Sequence, residues 1–271
     1  MPEEHRHMPD ANRLSVLVAV VLLAYALAHL IETQRYALSI NLLGVVLAIP
    51  LNLTVAATLM AAGLTAAGMD WLLRGHPHFE GGNTFQHWIL PALTAFVLGV
   101  PLYNLPFGPA WWVSFGLGGV LLLLVFLAEY IALDASDVRH PAASAGLVAL
   151  SYALFLILTT TLSFSSARLV LVALTVFPAA GMVALRALHL RTQKWEFAWA
   201  IGIAIILMQF AAALHYWPVT PIQYGLLLLG PLYALTELAL NLGEDISPRR
   251  SGIEAIIELA VFWTTAFLLR G

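Results

Sequence analysis

Apolar residues run in long blocks along this chain, and Pro, Gly and a few charges separate the blocks. Leu14 to Ile31 and Ala142 to Leu162 carry no formal charge. Each matches the ~20 residues that an α-helix needs to cross the hydrocarbon core of a bilayer. The same pattern predicts nine spans, near 14–32, 51–73, 86–102, 111–133, 142–164, 168–188, 197–216, 221–242 and 252–269. Tyr36 to Ile49 is apolar but too short to cross alone, and Pro50 follows it. Merged with the next span it would exceed about 30 residues, too long for one upright helix. A short interfacial or re-entrant piece is expected there, with Pro50 opening the second span. The predicted fold class is all-α: a polytopic transmembrane helical bundle forming one integral membrane domain over 1–271.

Composition agrees. Hydrophobic residues make up 61% and charged residues 10%, where a water-soluble domain carries roughly 25% charge. No cysteine is present, which excludes a disulfide, a thiolate nucleophile and a Cys-type zinc site. Without a run of Lys or Arg there is no electrostatic basis for nucleic-acid binding. Lys194, the sole lysine, sits in a polar loop, so a retinal Schiff base inside a bundle is not expected. Ala26-Leu27-Ala28 has the form of a signal-peptidase site, but the apolar run continues through His29, Leu30 and Ile31. An uncleaved first helix is expected.

Positive charge is asymmetric across the predicted spans. One side collects Arg6, Arg13, Arg74, Arg139, Arg186, Arg191, Lys194, Arg249 and Arg250; the other collects Arg35, Arg168 and Arg270. The positive-inside rule then places the tail 1–12 in the cytoplasm and the C-terminus outside the cell membrane. Trp71, Trp88 and Trp195 fall near the inner interface, and Trp111, Trp112 and Trp217 near the outer.

A parallel duplication is also expected. Leu127-Ala128-Glu129 ends the fourth span and Leu235-Thr236-Glu237 ends the eighth. Asp137 and Asp245 follow at matching distance. Residues 50–165 and 166–271 would then be two four-helix repeats, preceded by a first span and interfacial segment over 13–49. A smaller echo pairs Asp70, Arg74 and His76-Pro77 with Asp134, Arg139 and His140-Pro141. Its plain interpretation is two helix ends, with Pro stopping the helix and Arg at the negative dipole end.

Groups able to do acid–base or metal chemistry gather on the predicted inner side. Glu80, Glu244 and His78 suit solvated loops. Glu129, Glu237 and Glu258 lie a turn or more inside apolar spans, where an ionised carboxylate costs a few kcal/mol. Glu254 and Glu258 are four apart and share a helix face, so their charges repel. A candidate site therefore comprises Asp70, His87, Glu129, Arg139, Glu237, Glu254 and Glu258, converging on one cavity open to the cytoplasm. The alternative is that each carboxylate pairs separately with a local arginine or helix end. Carboxylates with one or two histidines suit a divalent cation such as Mg²⁺ or Mn²⁺, although neither His-Glu-x-x-His nor a histidine box occurs. On the outer side, His29, Glu32 and His215 are expected to be interfacial anchors. Pro91, Pro178 and Pro231 offer kinks inside spans.

Nine spans, a cytoplasmic N-terminus, a four-plus-four repeat and acidic inner loops resemble the UbiA-type prenyltransferases in architecture. That family carries two aspartate-rich motifs, after its second and sixth spans, that bind Mg²⁺-diphosphate. Here the first of these loops has Asp70 followed by Leu73, Arg74 and His76, and Arg186 to Glu196 contains no aspartate. The departure argues against prenyl diphosphate chemistry, and no residue is carried over. Met69-Asp70-Trp71-Leu72-Leu73-Arg74, His87-Trp88-Ile89-Leu90-Pro91 and His215-Tyr216-Trp217-Pro218 are similar to segments of an uncharacterised family of bacterial multi-pass membrane proteins. That resemblance covers most of the chain and implies no activity.

Three function classes are consistent with this pattern. The first is binding or transport of a small or lipid-like molecule in a cavity between helices. The second is a lipid-modifying enzyme with a carboxylate/histidine site, and the third a structural or assembly subunit of a membrane complex. The topology is directly testable, because introduced cysteines are unique. In intact cells an impermeant thiol reagent should label Asn104→Cys, and should reach Thr192→Cys only after lysis. The reverse pattern would overturn the orientation.

Overall fold

The computed structural model describes residues 9–30, 36–42, 45–51, 53–76, 81–82, 84–134, 136–165 and 167–269, with backbone alone for 29–30, 36–42, 45–51 and 53–55. Among them are nine helices long and apolar enough to cross a membrane. They are α1 (Ala11–Leu30), α2 (Leu53–Leu73), α3 (Ile89–Asn104), α4 (Pro109–Ala132), α5 (His140–Phe164), α6 (Leu169–Thr192), α7 (Phe197–His215), α8 (Pro221–Gly243) and α9 (Pro248–Leu268). All nine expected spans are present, and the chain is a multi-pass helical membrane protein. Glu32, Arg35, His78, Glu80, Arg6 and Arg270, and the side chain of His29, lie outside the described residues.

The segment after α1 pairs as an antiparallel hairpin, β1 (Tyr36–Leu42) with β2 (Val45–Leu51), in a register that sets Tyr36 opposite Leu51. Its β-branched residues favour extended backbone. Pro50 lies in β2 opposite Ala37, and α2 starts at Leu53, so Pro50 does not open the second span. A two-stranded hairpin has an outward edge on each strand, where a residue without an N–H is tolerated. Pro91 falls in the first turn of α3, where its missing N–H breaks no helical bond. Pro101, Pro178 and Pro231 are the prolines inside helices.

The chain divides into two compact units, Met1–Leu147 and Val148–Gly271. In the first, α2 packs on α1 and α3, and α4 closes against α3 and α1. Val21, Tyr25, Met69, Leu72, Trp111, Leu122 and Phe126 form its core. Trp111, in the first turn of α4, is buried among the helices; it stacks on Phe115 at 4.9 Å and donates its indole N–H to Leu102 O at 3.2 Å. The Tyr25 hydroxyl donates to Ala95 O.

In the second unit, α6 packs on α7, α8 on α9, and α7 and α6 on α8. Thr220 and Gln223 form a reciprocal capping box that starts α8. The Gln223 amide also donates to Ala266 O at 3.1 Å, and Trp263 Nε1 donates to Leu227 O at 3.3 Å, tying α8 to α9. Gly230 lets these two helices close up, since a Cβ there would stand 2.9 Å from Phe262 Cβ. Small residues at such crossings permit close backbone approach in the absence of a hydrophobic driving force between helices. Gly202 in α7 has open space around its Cα. Gly230→Ala should therefore destabilise by about 1–3 kcal/mol, read as a lower unfolding midpoint in detergent. Gly202→Ala should be neutral or stabilising.

Candidate functional site

One end of the first unit is built where α2 and α4 finish and α3 begins. Asp70, in the last turn of α2, accepts from Arg74 Nε at 2.7 Å and from the Thr84 hydroxyl. The 3-10 turn Phe85–His87 then points the His87 ring inward, where Nδ1 lies 2.7 Å from Glu129 Oε2 of α4. Both side chains are buried, at 3% and 0% exposure. The Gln86 side-chain nitrogen is 3.0 Å from His87 Nε2. If that amide nitrogen donates, the ring proton sits on Nδ1 and is given to the carboxylate. The His76 ring packs on Tyr130 at 4.5 Å, and the Arg13 guanidinium covers Trp71 at 5.0 Å. The result is a polar knot that pins the α2–α3 connection to the end of α4.

Arg139 holds Asp137 in the turn before α5. Its Nη2 donates at 2.7 Å, its Nε at 3.0 Å and its backbone N–H at 2.8 Å. These bonds hold the Asp137 carboxyl well below the ordinary carboxylate range, at about 2. A depressed carboxyl stabilises the fold above its unfolded value, so that contribution is lost as pH falls from ~4 toward 2.

The second unit gathers the remaining candidate carboxylates where α6 and α8 end and α9 begins. Arg191 Nη1 donates to both Glu237 oxygens, at 3.0 and 2.8 Å. Glu254 accepts from Arg250 Nε at 2.9 Å and from Asn241 Nδ2 at 3.1 Å. Glu258, one turn further along α9, has one carboxylate oxygen buried without a hydrogen-bond partner. The charges of Glu237 and Glu254 act on it. Asp70, Glu129, Asp137, Glu237 and Glu254 are thus matched to local partners, and Glu258 is not. Arg191, Asn241 and Thr84 were not legible as those partners, because each comes from a different turn or helix than the carboxylate it meets. Among the described residues no three His, Asp or Glu side chains form a metal-binding group.

A cavity of about 280 Å³ lies at the opposite end of the second unit, among the ends of α5 and α7 and the starts of α6 and α8. Its buried lining is Leu162, Val172 and Tyr224. Ser163, Ala167, Leu214, His215, Trp217 and Val219 line it toward the outside. The Tyr224 hydroxyl is already committed, donating to Ala211 O at 3.2 Å. The segment His215-Tyr216-Trp217-Pro218, similar to an uncharacterised membrane family, borders this place, but in the sequence His215 reads only as an interfacial anchor. A smaller space of about 240 Å³, lined only by apolar residues such as Leu23, Leu27 and Met60, runs between α1 and α2.

Breaking the buried pair of the first unit should be expensive. His87→Ala and Glu129→Ala should each destabilise by on the order of 3 kcal/mol. The double variant should lose much less than the sum, since both singles remove one interaction. Unfolding midpoints of the four proteins in detergent measure this, and simple additivity would show that the two residues act independently.

No curated protein and no solved structure matches the chain. A family described as "Protein of unknown function (DUF5656)" matches residues 33–269, from beyond α1 to the end of α9. The nine apolar helices and this match over most of the sequence agree with the sequence resemblance to an uncharacterised membrane family, and the chain belongs to the DUF5656 family.

Proposed function

We propose that this membrane protein binds, or carries, a small or lipid-like molecule in the cavity of its second unit. The cavity itself supports this: about 280 Å³ is close to the lower end of ordinary small-molecule sites. Its mixture of apolar lining and a few polar groups is also what such sites use for affinity and orientation. In the orientation proposed from the Lys/Arg bias, with the N-terminus cytoplasmic, it opens toward the outer side of the cell membrane. Of the candidate carboxylates inside the helices that a lipid-modifying enzyme would need, Glu258 keeps an oxygen without a hydrogen-bond partner; Glu129 is engaged with His87, Glu237 with Arg191, and Glu254 with Arg250 and Asn241. That favours binding over catalysis.

Filling the cavity tests the proposal. Native mass spectrometry of protein released gently from membranes should show a retained small or lipid-like adduct. Val219→Trp, at a half-buried lining position, should lose it while the helical circular-dichroism signal is unchanged. An adduct kept equally by Val219→Trp, or no adduct in the native protein, would remove the proposal.

A further inference from the structure

Hydroxyls in the second unit habitually give their proton back to their own helix. Ser151, Thr159, Thr161, Thr175, Thr236 and Thr265 each donate to a carbonyl three or four residues earlier. This satisfies a hydroxyl in hydrocarbon without any outside partner. Ser163 departs from the habit, as does Thr160 deeper in α5. Ser163 lies on the cavity and makes no hydrogen bond, and the same holds for the His215 imidazole and the Trp217 indole N–H. His215 touches Tyr216 edge-on at 4.8 Å, a contact that leaves both ring nitrogens available.

Three uncommitted polar groups thus border one cavity, and each has a proton to give. Among the described residues no carboxylate lines it, so a cationic head would find no counter-charge there. Among them no lysine or arginine lines it either, so a carboxylate or phosphate would lose its hydration without an ion partner. What fits is an acceptor that carries no charge on an apolar body. We infer that this cavity takes the uncharged carbonyl group of an amphipathic molecule, with Ser163 and His215 donating to the two lone pairs of its oxygen, Trp217 at the rim, and Leu162 and Val172 covering its apolar part. The inference rests on the proposal that the cavity is a ligand site, and adds the chemistry of the head. Such a carbonyl can belong to a free membrane-soluble ketone, ester or quinone, or to the ester of a bilayer lipid.

The probe is methyl decyl ketone with an isotope-labelled carbonyl, added to the full chain in nanodiscs of ether-linked phospholipid, which contain no ester carbonyl. Infrared spectroscopy should show a bound ketone whose carbonyl stretch is lowered by hydrogen bonding, and Val219→Trp should remove that population. Ser163→Ala and His215→Phe should each weaken binding by roughly three- to tenfold, as loss of one hydrogen bond implies, and shift the band toward its free frequency. His215→Gln, which keeps a donor, should restore much of the effect. Ser163→Ala removes one oxygen atom and carries the test if His215→Phe does not fold. If a hydrocarbon, a fatty carboxylate or an alkyl trimethylammonium of equal length competes as well as the ketone, or the band is unmoved by both variants, the carbonyl inference is overturned while the cavity remains a ligand site. If neither ketone nor hydrocarbon shows binding sensitive to Val219→Trp, both fall. Repeating the titration in ester-linked phospholipid separates the sources. Weaker ketone binding there assigns the site to the bilayer's own ester, and unchanged binding assigns it to a free molecule.

Discussion

Hydrocarbon offers no hydrogen bonds, so every polar group placed in it must find a partner within the protein. Helices meet this demand for the backbone, and most buried side chains follow the same rule, Trp88 Nε1 and Thr160 Oγ1 being exceptions. Tyrosine hydroxyls and tryptophan N–H groups that cross between helices donate to main-chain carbonyls: the buried Tyr25 to Ala95, Trp111 to Leu102 and Tyr224 to Ala211, and the half-buried Trp263 to Leu227. Ala95 and Ala211 accept on a second lone pair, while Leu102 and Leu227 have no helical donor four residues on, where Pro106 and Pro231 stand. These contacts therefore fix which helix faces which without disturbing the ladders. Packing supplies the rest, with Gly230 allowing α8 and α9 to approach.

The same constraint governs the charges. A carboxylate inside an apolar span is tolerated only where the chain brings it a counter-charge or a donor. Glu129 receives His87 from the start of α3, and Glu237 receives Arg191 from the end of α6. Both pairs join the end of one helix to an end of another, so they act as staples at the unit ends. Glu258, with an oxygen left without a hydrogen bond, is the least satisfied member of this group.

Against that background the second-unit cavity differs from its surroundings. Most hydroxyls on the helices of the unit are committed, Thr160 excepted, whereas Ser163, His215 and the exposed Trp217 border a space of about 280 Å³ with no hydrogen bond of their own. Unspent hydrogen-bonding capacity is a feature of recognition more than of packing, because a merely structural site gains by closing it. The carboxylate clusters have the opposite character, being largely self-satisfied. Chemical interest thus moves from the acidic helix ends, where composition draws attention, to an end of the bundle with few charges.

The sequence by itself determined the membrane class, the nine helices and their approximate ends, because uncharged runs of about 20 residues have one stable form in a bilayer. It also located the deep carboxylates, since a charge in an apolar run is visible without coordinates. The partners were not visible. Arg191 and Glu237 are 46 residues apart and His87 and Glu129 are 42 apart, and no periodicity links side chains across such separations. Nor could it show that Pro50 sits in a strand or that Trp111 is buried, since strand pairing and helix contacts decide both. The cavity is the clearest case. Leu162, Val172, His215 and Tyr224 come from four helices, and only the packing of those helices leaves a space between residues that, one at a time, read as ordinary helix ends.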